Sequence, residues 1–176
     1  GRLGMRARRR THRAVAGTEE DAGRTTMMTT EDAASGGRAR ANEAAKTIEA
    51  SGETTADRLK ALIVIAKKAS SSSMLEESKR TPKTRVMGCA SASWIEARVD
   101  ATSGRVYAAC ASESDVTRGF GEVLCGVLSE CTAEEALGIG SEFVDAMEIG
   151  AGSKTEKSRA NGFKNMLETA KKPWCR

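Results

Sequence analysis

Histidine is almost missing from this chain of 176 residues: the single example, His12, lies near the N-terminus. Any folded part downstream therefore has no imidazole for a Ser-His-Asp or Cys-His pair. The five cysteines (Cys89, Cys110, Cys125, Cys131, Cys175) are odd in number and include no CxxC pair. That pattern speaks against a disulfide framework or a zinc site and fits free thiols in a reducing compartment. Aromatics are only 3% of the chain, so the core must come mainly from Leu, Ile, Val, Met and Ala. The longest apolar run, Ala61 to Ala66, is six residues, far short of a membrane span, and reads as the inner face of a helix. No internal repeat and no Gly-rich phosphate loop is present.

What charge there is lies unevenly. Residues 1–16 hold six arginines (Arg2, Arg6, Arg8, Arg9, Arg10, Arg13) and no acid. Taking those six from the 28 basic residues leaves 22 against 24 acidic ones, so the remainder is slightly acidic and shows no footprint for nucleic acid. An Arg-rich, acid-free start suits an organelle transit peptide, and a basic arm that binds phosphates or an uninformative leader stay open beside it. The change from basic to acidic across Ala16 and Gly17 would suit a processing point. The chain begins at Gly1, and Met5 is an alternative start.

Residues 1–40 read as a leader, processed or disordered. A short helix is expected over 41–50, ended by Ser51-Gly52. Thr54 and Asp57 form a capping-box pattern for a second helix with the stripe Leu59, Leu62, Ile63, Ala66. After the break "ASSSSML" and the charged loop "EESKRTPKTR", the period changes to two. Ile95, Ala97 and Val99 are answered across an "ATSG" turn by Val106, Ala108 and Cys110, a hairpin with one apolar face. The next helix carries Val116, Phe120, Val123, Leu124, Val127 and Leu128 on one stripe, with Ser112 and Asp115 at its start. Gly119 and Gly121 suggest close packing there. Thr132 with Glu135 caps a short helix to Leu137, and Ser141 opens another through Met147. Ser158 or Thr155 starts the last helix, with Phe163, Met166, Leu167 and Ala170 inward and Pro173 after its end. The order predicts an α+β fold, helices packed on a small antiparallel sheet.

One stretch does not fit this inventory of core and loop. In "RVMGCASASWIE", residues 85–96, Cys89 follows Gly88 where a polar loop turns into a strand. A lone cysteine is commonly a small buried hydrophobe. Here it also resembles a family signature. "VMGCASASWI" is similar to the V-x-G-C-x-S-x-V-W pattern of SufE proteins, "SESDVTRGF" to D-S-D-x-x-x-x-K-G, "KSRANGFKNML" to P-S-R-x-x-G-x-x-x-M-L, and "TTADRLKALIVIAKKA" to the family's first helix. The likeness covers about residues 40–172, in order. The domain boundaries expected from it are a leader over 1–40, a SufE-like domain over 41–172 and a tail over 173–176.

The resemblance implies a sulfur acceptor and activator for a cysteine desulfurase (SufS-like), not an enzyme in its own right. The partner's pyridoxal phosphate does the carbon–sulfur chemistry. Cys89 takes the outer sulfur as a transient persulfide and passes it to an iron–sulfur scaffold, with no metal or cofactor of its own, no nucleic acid and no membrane. The residues agree: sulfur exchange needs a thiolate and access, not an acid–base pair. Gly88 gives the loop backbone freedom, the small residues 90–93 leave docking room, and Trp94 can anchor the loop's base. An oxidation-prone persulfide gains from an apolar niche.

By the same resemblance Glu113 stands for the second acid of D-S-D; it tunes the thiol, binds the desulfurase, or is merely a helix N-terminal charge. Arg159 matches the arginine after Ser and either stabilises a thiolate or pairs with an acid. Asn161 and Gly162 read as tight helix packing; Cys110, Cys125 and Cys131 as packing; Cys175 as exposed. The chain departs from the pattern at Ala111, at Lys157 for Pro, at "ASSSSML" for Leu-Pro-Pro, and at Ser93, where the family has Val before Trp. The expected location is the plastid stroma, the mitochondrion being the alternative. Other readings are delivery to one dedicated client enzyme and a regulatory module that docks without carrying sulfur. Some plastid relatives are fused to a further domain; the end at Arg176 leads to the expectation that this chain is not.

Overall fold

Glycine placement and helix caps decide where the elements of this chain begin and how closely they meet. The structure, a computed structural model, describes residues 30–175. The Arg-rich leader, its processing point near Ala16 and His12 lie outside the described residues. The elements are α1 Thr30–Glu49, α2 Thr55–Lys68, β1 Ser93–Val99, β2 Val106–Ser112, α3 Asp115–Ser129, α4 Ala133–Leu137, α5 Glu142–Asp145 and α6 Lys154–Lys171. The fold is α+β, with a two-stranded antiparallel sheet packed among helices.

Helix α1 starts at Thr30, eleven residues before the expected helix and inside the segment read as leader. The paired Gly36 and Gly37 look like a break in sequence, but packing overrides propensity. A Cβ on Gly37 would stand 2.1 Å from the Glu135 carbonyl oxygen, so the glycine lets α1 lie directly on α4. Arg40 pairs with Glu135 at 2.6 Å across the same contact. Further along, Ala41, Ala45 and Ile48 turn into the core. At the other end, the expected tail is partly docked: Trp174 packs against the core.

Caps formed where the chain offers Ser or Thr three residues before a receptive N–H, and two differ from expectation. Thr54 accepts from the Asp57 N–H, and Thr132 with Glu135 forms a reciprocal capping box. Helix α3 is capped by Ser114 accepting from Thr117, not by Ser112, which accepts from the Ser114 N–H and ends the strand. Helix α6 opens at Ser153 with Glu156 completing the box, ahead of both expected starts, Thr155 and Ser158. The missed cap brings Lys154 and Thr155 into the helix.

The hairpin keeps the expected register, Ile95 opposite Cys110 and Ala97 opposite Ala108, with Gly104 at φ +68° in its turn. Its second face is also covered. The segment before it folds back so that the Leu75 N–H donates to the Cys110 carbonyl at 2.9 Å, and Leu75, Ala109 and Ala111 form a small second cluster with Trp94 and Tyr107. The serine run that reads as a break supplies one short 3-10 turn for this wrap, Ser71–Ser73, and the charged loop after it supplies a second, Glu77–Lys79.

Scarce as they are, all three phenylalanines meet at the centre of the main core. Phe120 of α3 and Phe163 of α6 are stacked with centroids 4.2 Å apart, and Phe143 of α5 lies 6.0 Å from Phe120. Offset stacking of this kind adds to the area these rings remove from water. It also fixes which faces of α3 and α6 turn toward the sheet.

Gly119 marks the tightest helix crossing. A Cβ there would sit 1.9 Å from the Leu62 carbonyl oxygen of α2. Gly119→Ala is expected to destabilise the fold by about 3 kcal/mol through forced separation of two backbones, measured by urea unfolding. Gly126→Ala, in the same helix with nothing within 4 Å of the new methyl, is expected to stabilise it by about 1 kcal/mol. Equal effects at the two sites would contradict this packing.

Candidate functional site

Cys89 sits at the tip of a short loop whose two ends are hydrogen-bonded to each other. The Val86 N–H donates to the Ser93 carbonyl, and the Ile95 N–H to the Thr84 carbonyl, each at 2.9 Å. Trp94 does anchor the base, with the Arg85 guanidinium stacked 4.7 Å above its ring. Between these pinned ends Gly88 adopts φ +72°, the left-handed region that favours glycine. The side-chain amide of Asn165 on α6 donates to the Met87 carbonyl at 3.0 Å, tying the loop to the helix.

The Cys89 side chain is half-buried and turned toward α6. Its Sγ lies 3.3 Å from where a Cβ on residue 162 would stand. Gly162 is therefore a close-approach glycine, but its neighbour is the Cys89 loop rather than another helix, and Asn161, expected to share that role, is exposed. Around the thiol opens a cleft of about 460 Å³. The loop contributes Cys89, Ala90 and Ser91; the start of α3 contributes Ser114 and Thr117; the first turns of α6 contribute Lys154, Thr155, Ser158, Arg159 and Gly162.

Two cations, Lys154 and Arg159, line this cleft, and among the described residues neither side chain has an ion pair or hydrogen bond. Of the two readings for Arg159, pairing with an acid is not what the structure holds. Glu113 is placed differently. Its side chain is exposed and does not line the cleft. Its link to the loop runs through the backbone, the Glu113 N–H donating to the Ala92 carbonyl at 3.0 Å.

Hydroxyls, not acids or imidazoles, surround the sulfur. Ser93 Oγ lies 3.6 Å and Ser91 Oγ 3.8 Å from Cys89 Sγ. Behind them Ser93 contacts Ser112 Oγ at 2.9 Å, and Ser91 contacts Thr117 Oγ1 at 3.3 Å. Sequence reasoning counts Ser93 only among the small residues that leave docking room, and passes over Thr117, Lys154 and Asn165. The only signal for Ser93 was its departure from the family's valine.

The other thiols are placed for packing. Cys110, Cys125 and Cys131 are buried and Cys175 is exposed. Hydrogen bonding to Cys110, together with burial, pushes the Cys125 thiol well up, and burial pushes Cys131 up against the opposing pull of Arg40. Raised thiols stay protonated and inert at neutral pH. Among the described residues no group of three or more His, Cys, Asp or Glu is arranged to hold a metal ion, and no helix is long and apolar enough to cross a membrane.

Comparison with known proteins gives a consistent result. A family model described as "SufE: Fe-S metabolism associated domain" matches residues 43–173. SufE-like protein 2, chloroplastic, of Arabidopsis thaliana is 34% identical over 116 residues, which are 66% of this chain and 43% of that protein. A chloroplastic quinolinate synthase of Nicotiana tabacum is 32% identical over 99 residues, 56% of this chain and 14% of the enzyme. One of Oryza sativa subsp. japonica is 30% identical over 112 residues, 64% of this chain and 15% of the enzyme. The chain thus spans less than half the length of each of these relatives.

Native alkylation followed by peptide mass spectrometry is expected to mark Cys175 first, Cys89 more slowly, and the remaining three only after unfolding. Asn165→Ala, which removes one hydrogen bond of about 1 kcal/mol, is expected to speed Cys89 labelling about fivefold. An unchanged rate would mean that the amide does not hold the loop.

Proposed function

The chain belongs to the SufE family of Fe–S metabolism associated domains, and from that premise we propose that it is a sulfur acceptor and activator for a cysteine desulfurase. Cys89 carries the sulfur as a persulfide and hands it to an iron–sulfur cluster scaffold. The observation that carries this reading is the cleft itself: one half-buried thiol facing a glycine, with about 460 Å³ of space and two free cations beside it.

The chemistry needs nothing else. Cys89 loses its proton to solvent, and the thiolate attacks the outer sulfur of the donor's persulfide, R–S–SH. The donor's sulfur–sulfur bond breaks as a new one forms on Cys89. The electron pair leaves with the donor's inner sulfur as R–S⁻, which is protonated from water. Sulfane sulfur moves without net oxidation, so no redox partner enters the balance. Lys154 and Arg159 favour the anionic sulfur species electrostatically, and the missing side chain at Gly162 leaves room for the second sulfur atom. The chain acts as a partner of the desulfurase, using no metal or organic cofactor of its own.

The chloroplastic relatives, together with the Arg-rich leader, support a plastid location. The same relatives favour a second reading. In enzymes named quinolinate synthase the likeness occupies about one seventh of the length, so delivery of sulfur to one dedicated client enzyme competes with delivery to a general scaffold.

The test is transfer of label from radioactive-sulfur cysteine through a purified desulfurase, resolved on a non-reducing gel. The protein as it stands is expected to take label and to raise desulfurase turnover; Cys89→Ser takes none. Gly162→Ala is expected to keep its stability within about 1 kcal/mol, since alanine favours the helix, yet to lose most of its loading as the methyl crowds the sulfur. Equal labelling of Cys89→Ser would remove Cys89 as the acceptor. Stimulated turnover with no label on the unaltered protein would favour a regulatory module.

A further inference from the structure

Ser93 is fully buried, 0% exposed, at a position where the family pattern it resembles has valine. A buried hydroxyl is costly unless its hydrogen bonds are made, so its partners matter. They are Ser112 Oγ at 2.9 Å, the Ser91 carbonyl at 3.1 Å and Cys89 Sγ at 3.6 Å. Ser112 also accepts from the Ser114 N–H at 3.2 Å, which leaves its own proton free to donate toward Ser93. Ser93 then has one proton of its own to place, on the Ser91 carbonyl or on the sulfur.

We propose that Ser93 is a catalytic residue for sulfur exchange, its hydroxyl being the donor that stabilises the anionic sulfur of Cys89. This rests on Cys89 being the sulfur-carrying thiol. In the resting thiol the S–H points at Ser93 Oγ and the Ser93 proton lies on the Ser91 carbonyl. When Cys89 gives its proton to solvent, the Ser93 hydroxyl rotates about its C–O bond and donates to the sulfur, while Ser112 continues to donate into Ser93 Oγ. No heavy atom has to move. Hydrogen bonds to charged acceptors are stronger than neutral ones, and linked hydroxyls polarise one another. Ser91, held by Thr117 Oγ1 at 3.3 Å, supplies a second and more distant donor. The hydroxyl chain takes the place of the imidazole that the described residues lack.

The test is the rate of Cys89 alkylation by iodoacetamide as a function of pH, in a Cys175→Ser background so that one accessible thiol is read. Ser93→Ala is expected to react about fourfold more slowly than the parent near neutral pH, the loss of thiolate on removing a charge-assisted hydrogen bond being partly offset by the greater nucleophilicity of the thiolate that forms. At a pH that ionises Cys89 in both proteins the deficit is expected to vanish or reverse, because the thiolate freed of its hydrogen bond is rarer near neutral pH but more nucleophilic once formed. Ser93→Thr, which keeps the hydroxyl, is expected to restore most of the neutral rate. A Ser93→Ala rate equal to the parent's throughout would overturn the proposal. So would a deficit of the same size at every pH, which would mark altered access instead. The assay uses no partner, so a protein that shows the hydroxyl effect but fails to accept sulfur would overturn the functional reading alone.

Discussion

The contact between Cys89 and Gly162 governs the rest of this structure. The sulfur lies 3.3 Å from where a Cβ on residue 162 would stand, so a glycine there lets the loop rest this close to α6 without displacement, provided α6 holds one rotation. The rotation comes from the core. Phe163, the next residue, is stacked on Phe120 of α3, which turns Gly162 and Arg159 outward together toward the loop. On α3 the same stack sets Thr117, one turn earlier than Phe120, at the opposite wall of the cleft. Three phenylalanines in an aromatic-poor chain thus fix the helices that line the site, and the site inherits their precision.

The chemistry available follows from what surrounds the sulfur. Among the described residues there is no imidazole, and the groups left to favour an anionic sulfur are hydroxyls at hydrogen-bond range and two cations that no described acid neutralises. The three core thiols are withdrawn by burial, whereas Cys89 is half open. A loop closed at its base by backbone bonds and held at its tip by one amide can yield to a partner at small cost, since few contacts have to be given up. In the function proposed, the same features shelter a bound sulfur between transfers.

Much of this was legible in the sequence. The period-two hairpin and its register could be read directly because each strand alternates cleanly, and Cys89 stood out through its glycine and the matching segments downstream. What escaped reading had physical causes. Helix α1 runs on through Gly36 and Gly37 because α4 rewards a close approach that propensity cannot see. The second covered face of the sheet depends on a serine-rich wrap with no periodicity of its own. Lys154 was missed because the cap lies at Ser153, ahead of the expected starts at Thr155 and Ser158. Ser93 and Asn165 act across 4 and 78 residues of chain respectively, and only folding shows that both converge on one loop.

The most direct measurement is tandem mass spectrometry that locates the added sulfur after the protein has been incubated with a desulfurase and cysteine. The expected result is one extra sulfur atom on the peptide containing Cys89, with Cys110, Cys125 and Cys131 unmodified and Cys175 at background. Sulfur found chiefly on Cys175, or spread over several thiols, would contradict a site built around a single loop cysteine.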